Sequence, residues 1–142
     1  MTLDKDNLAL QVNQLKKYLK QLLVLKGKYS KEDFMENWEI EDQVSRKLQV
    51  AAECILDTGD LLINGFDLQK PETYADIPRV LRKNRKISEE LAEYMTKLAK
   101  FRNVLVHDYL YINKNEVFSQ FEALPENIRR FLQEIKNLSQ GR

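Results

Sequence analysis

The chain has 142 residues, 43% hydrophobic and 32% charged, with 23 lysines and arginines against 22 acids and a formal net charge of +1. That length suits one domain with a single continuous core, residues 1–142, and is short for two. The near-zero charge excludes a global electrostatic pull on nucleic acid, so any affinity for RNA must come from a local patch.

Four glycines and three prolines among many Leu, Lys, Glu and Gln argue for long helices over sheets. Leu8, Val12, Leu15, Leu19, Leu22 and Leu23 recur at helical steps and predict a first helix from about Leu3 to Lys26, closed by Gly27. Ser30 followed by Asp33 reads as the cap of a brief turn through Met35. A second long helix is expected from about Ile40 to Ile63, burying Val44, Leu48, Ala51, Ala52, Ile55, Leu56, Leu62 and Ile63. Gly59 inside it costs about 1 kcal/mol relative to alanine and marks close helix packing. Gly65 and Pro71 bracket a loop, and Tyr74 to Leu81 form a short helix with Pro78 near its start. Ser88 caps a third long helix toward His107, with Glu89 and Glu90 in its first turn. Asn113 to Asn115 break the pattern. The last helix runs from about Glu116 to Leu138, with Pro125 kinking or interrupting it. The fold class is all-α: an antiparallel up-and-down bundle of four long helices with shorter pieces between.

The lone Cys54 has no internal disulfide partner, fits a reducing compartment and reads as a small core hydrophobe. Residues 1–10 lack the apolar run of a signal peptide, and nothing approaches the roughly 20 apolar residues of a membrane span. A cytoplasmic protein is expected.

Chemistry concentrates in Arg102-Asn103-Val104-Leu105-Val106-His107-Asp108-Tyr109, which holds the only histidine. Imidazole titrates near neutrality and is the default proton shuttle. The seam Leu91, Met95, Leu98, 102, Leu105, 109 follows one helix face, so Arg102 and Tyr109 stand where core residues are expected. An arginine there needs a partner or a wet cavity. His107 lies about 140° around the helix from Arg102, so either the helix distorts or a second copy completes the site. A structural reading stands beside the catalytic one: Arg102 paired with Glu53, Asp57 or Asp60, Tyr109 as core, and His107 as a cap or surface residue.

Arg102, four residues, His107, one residue and Tyr109 resemble the R-x4-H-x-Y signature of HepT-like toxins, a branch of the HEPN superfamily. The likeness extends over Gln43 to Leu62, with Arg46-Lys47-Leu48-Gln49, Glu53 and Asp57, over Tyr74-Ala75-Asp76, and over Glu90-Leu91-Ala92. Asp108 departs from the glycine frequent at that place. The resemblance implies a homodimer whose motifs face each other in a metal-independent endoribonuclease site that needs no cofactor. It also implies an MNT-type nucleotidyltransferase antitoxin that transfers AMP to Tyr109.

Such chemistry suits these residue types. Cleaving RNA without a metal requires deprotonating a 2′-OH, stabilising a charged phosphorane and protonating the 5′-oxygen; His107 suits the proton transfers and Arg102 the charge. Asn103 and Asp108 are supporting candidates, Glu53 and Asp57 the acids that orient Arg102, and Tyr111 a bystander. Arg79, Arg82, Lys83, Arg85 and Lys86 form a basic cluster that is either a solvated loop or a steering patch for RNA. A non-catalytic dimer that docks the nucleotidyltransferase or binds nucleotides through Arg102, and a purely structural dimer, are the other readings.

Overall fold

The computed structural model describes residues 4–140, and all its regular elements are helical. They are α1 (Lys5–Lys28), α2 (Lys31–Glu36), α3 (Trp38–Gly65), α4 (Asp76–Lys83), α5 (Glu89–His107), a single 3-10 turn (Tyr109–Tyr111) and α6 (Lys114–Ser139). The four long members alternate in direction. Cys54 meets Gln11 while Lys47 meets Gln21, so α1 and α3 run antiparallel. Glu53 pairs with Arg102 while Gly59 approaches Met95, which sets α3 against α5 the same way. Ser88 bonds Glu134 and Tyr94 bonds Gln120, which sets α5 against α6.

The caps are those the sequence spells out. Ser30 and Asp33 form a reciprocal capping box on α2, and the Ser88 hydroxyl accepts from the Leu91 N–H at the start of α5. All eight residues expected on the apolar face of the second long helix are buried. Gly59 is the tightest point: a Cβ there would lie 2.8 Å from Ile77 Cγ2 and 3.2 Å from Leu81 Cδ1, so its missing side chain lets α4 lie directly on α3.

Four expectations need correction. Gly27 does not end α1, which continues to Lys28 and is capped at Tyr29; the glycine sits on an open face with nothing near its Cβ. Leu23 is exposed and Leu25 takes its place in the core, because the buried stripe steps Leu15, Leu22, Leu25. Pro125 does not interrupt α6; flanking Leu124 and Ile128 are fully buried, and packing on both sides carries the helix past the missing N–H. Tyr109 is not on the α5 seam, because that helix stops at His107. The expected helix start at Leu3 lies outside the described residues.

Candidate functional site

Arg102 emerges from the seam of α5 between buried Leu98 and Leu105, and its side chain is 18% exposed. An apolar stripe interrupted by a cation demands compensation, and α3 supplies it. Arg102 Nε–H donates to Glu53 Oε2 at 2.8 Å, and Nη2 lies 2.6 Å from the same oxygen. Gln49, one turn earlier on α3, donates more loosely to that oxygen at 3.4 Å. Nη1 donates to Asn103 Oδ1 at 3.2 Å, and the Tyr74 ring supports the guanidinium face 4.9 Å below Cζ. A guanidinium has five N–H bonds, so at least two remain for an incoming anion.

Asp57 does not touch Arg102. It accepts a 2.8 Å bond from the Tyr74 hydroxyl and so fixes the ring on which Arg102 rests. Burial raises the Asp57 carboxyl from its ordinary value, partly offset by that bond. Burial and the bond to Asp57 push the Tyr74 phenol up to about 12. The acid beside Arg102 is therefore Glu53, and Asp57 acts one step removed.

At the open end of α5 the order changes character. His107 is the last helical residue, exposed and without a hydrogen-bond partner among the described residues. Asp108 caps the helix with φ −129° and ψ 38°, its N–H bonding Val104 O and its own carbonyl accepting from the Tyr111 N–H. Its side chain faces solvent. The turn sends Tyr109 back over α3, where its hydroxyl donates to Asp42 Oδ1 at 2.8 Å. That bond, with lesser contributions from burial and the nearby Glu41, raises the phenol to about 12. Leu110 and Tyr111 are 94% and 84% exposed, and Val106 adds to the same apolar end. Arg102 and His107 do not meet within one chain, and α5 stays regular between them.

The basic cluster lies elsewhere. Arg82 pairs with Glu89 at the start of α5, about 20 Å along the axis from Arg102. Arg79 is engaged by Asp76, and Lys86 sits over the Phe66 ring at 4.1 Å, which leaves exposed Lys83 and Arg85 as the members with no ion pair or ring contact among the described residues. Sequence reasoning missed both Tyr74 and Asp42. A signal for Asp42 existed: Asp42 and Glu53 are eleven residues apart, three helical turns, so they share a stripe that faces α5. Cys54 is buried, and desolvation pushes its thiol up to about 11. Among the described residues no helix is long and apolar enough to cross a membrane, and no three His, Cys, Asp or Glu side chains cluster as metal ligands.

The bundle shares its fold with a HEPN toxin of known structure. The chain belongs to the Ribonuclease HepT-like family, whose model matches residues 12–135. It is 33% identical over 88 residues to YutE of Bacillus subtilis, a candidate RNase; that match covers 57% of this chain and 61% of the relative. It is 25% identical over 126 residues to the mRNA nuclease HepT of Shewanella oneidensis, covering 89% of this chain and 93% of that protein. Among solved structures, a tri-AMPylated HEPN toxin of Shewanella oneidensis in complex with MNT antitoxin superposes with a TM-score of 0.84 at 24% identity, over 94% of this chain and 98% of that one. The structure of YutE, described as a cytosolic protein, gives 0.81 at 23% identity over 97% and 92%.

Proposed function

We propose that this chain is the toxin of a toxin–antitoxin pair, a single-domain cytoplasmic endoribonuclease that cleaves RNA without a metal at a site shared by two copies. The observation that carries the reading is the state of Arg102: planted in an apolar seam, fixed by Glu53 and Tyr74, yet with donors left for a phosphate. A guanidinium held this rigidly stabilises charge as it develops without having to reorganise. His107, unpartnered and exposed five residues on, removes the 2′-OH proton and returns one to the departing 5′-oxygen. DNA, lacking the 2′-OH, is left intact, and the product ends in a 2′,3′-cyclic phosphate. Asn103 steadies the guanidinium and Asp108 only ends the helix.

Two observations favour a homodimer. Arg102 and His107 face different ways on one helix, and the apolar end formed by Val106, Tyr109, Leu110 and Tyr111 is left uncovered beside His107. A two-fold contact through this end brings the His107 of one copy toward the Arg102 of the other. Lys83 and Arg85 extend the RNA path to the far end of α5. Tyr109 is the acceptor for AMP from an MNT-type nucleotidyltransferase; the adduct places bulk and negative charge where RNA must bind.

The test is cleavage of single-stranded RNA by purified, unmodified protein with and without a chelator. Arg102→Ala and His107→Ala each abolish cleavage, and mixing the two variants restores part of it, because one mixed dimer carries an intact pair. Intact RNA in every reaction refutes the reading.

A further inference from the structure

Outside the Arg102–Glu53 cluster, the Tyr109 side chain has one polar partner among the described residues, and that partner sits on the reactive atom. We propose that Asp42 is the proton acceptor for modification of Tyr109: its carboxylate takes the phenol proton as Oη attacks the α-phosphorus of a nucleoside triphosphate. The inference rests on the reading of Tyr109 as the acceptor and names the residue of this chain that makes it one. In the step, the Oη–P bond forms and the bond from the α-phosphorus to its bridging oxygen breaks. Pyrophosphate leaves with that electron pair, and the Oη proton passes to Asp42 and then to solvent.

The geometry supports this in three ways. The carboxylate can only accept, so the Tyr109 O–H points at Asp42 Oδ1 over 2.8 Å and its lone pairs face outward, where Tyr109 is 46% exposed. The turn does not depend on that bond, because its backbone is closed by Tyr111 N–H to Asp108 O and Ile112 N–H to Tyr109 O. Among the described residues no other acid or base bonds the phenol: Glu41 is engaged by Lys114 at 3.8 Å, and His107 makes no bond to it. With the phenol held at about 12, only about one molecule in 10⁵ is phenolate at pH 7, so the proton must leave during the attack. Tyr111, two residues on and more exposed, has no acid on its hydroxyl among the described residues. The same contact thus selects between two neighbouring tyrosines.

The experiment follows AMP incorporation by intact mass and peptide mapping, using the full chain, ATP and an MNT-type nucleotidyltransferase. Wild type is expected to carry the adduct on Tyr109 and not on Tyr111. Asp42→Asn, which keeps an acceptor but not a base, is expected to slow the reaction by about 10²-fold at pH 7, with Asp42→Ala at least as slow. The gap between wild type and Asp42→Asn should narrow as pH rises toward 9, since hydroxide then replaces the carboxylate. An unchanged circular dichroism spectrum and a retained cooperative melt in both variants exclude misfolding. Modification of Asp42→Asn at the wild-type rate, or a gap independent of pH, overturns the inference while leaving Tyr109 as the acceptor. Absence of any adduct on wild type overturns that reading and this inference together.

Discussion

Replacing Glu53 with glutamine keeps the shape of the side chain and removes the charge opposite Arg102. Both partners are mostly covered, 18% and 25% exposed, and one Glu53 oxygen serves two guanidinium nitrogens. Breaking a fully buried pair from one side costs about 3–5 kcal/mol; partial exposure lets water screen the orphaned cation and lowers the figure to about 2 kcal/mol. In a chain of this size that is a fall in melting temperature of roughly 6–10 °C. Removing both charges, with Glu53→Gln and Arg102→Met together, should recover most of the loss, giving a coupling of about 1–2 kcal/mol in a double-mutant cycle. The RNA assay adds a second axis. Glu53→Gln leaves the guanidinium free to swing on Tyr74, and an ångström of misplacement costs about 10²-fold in rate. Thermal melts and cleavage rates on the four proteins of the cycle check this. A Glu53→Gln protein that melts within about 1 °C of wild type and cleaves RNA equally fast refutes the idea that α3 holds Arg102 in place.

Other consequences can be measured on the same material. Gly59→Ala gains about 1 kcal/mol in helix propensity but drives a methyl to 2.8 Å from Ile77 Cγ2, a group on a branched carbon that moves only with its whole rotamer; a net loss of about 1–2 kcal/mol in urea unfolding is expected. The Tyr109 phenol is pushed up to about 12 from an ordinary 10, so its contribution to stability is complete below pH 10 and is lost as pH rises from 10 to 12; ring-labelled NMR should show its titration midpoint moving back toward 10 in Asp42→Asn. Cys54, raised to about 11, should react with a thiol reagent at pH 8 only as fast as α1 and α3 separate, and fast labelling of the folded protein would contradict its burial. On the proposed dimer, Leu110→Lys should halve the mass seen by light scattering, and a mass equal to that of wild type would count against the proposed contact at this end of α5.

Much of the bundle was legible because its signals are local. Helical stripes, the Ser30–Asp33 box and the Ser88 cap depend on residues within a few positions of each other. The errors arose where neighbours do not decide. Gly27 carries the residue type of a helix end, but nothing stops the chain from continuing on an open face. The seam pattern carries Tyr109 straight on from Leu105, yet Asp108 turns the backbone and no glycine announces it. Which of Glu53, Asp57 and Asp60 would meet Arg102 depended on the rotation of α3 about its axis. That rotation is set by packing across separations of about fifty residues and cannot be read from spacing. Tyr74 comes from a loop whose path is fixed by Asp57, and it had no periodic signal at all.

The uncovered end of α5, with Leu110 almost wholly in solvent, also bears on dosage. Activity that requires two copies to meet there obeys second-order mass action. Below the dissociation constant, halving the amount of chain lowers the active species about fourfold. Scarce molecules would be nearly silent, and a modest rise in synthesis would cross a threshold. The exposed leucine and tyrosine would then work as a concentration gauge as well as a contact.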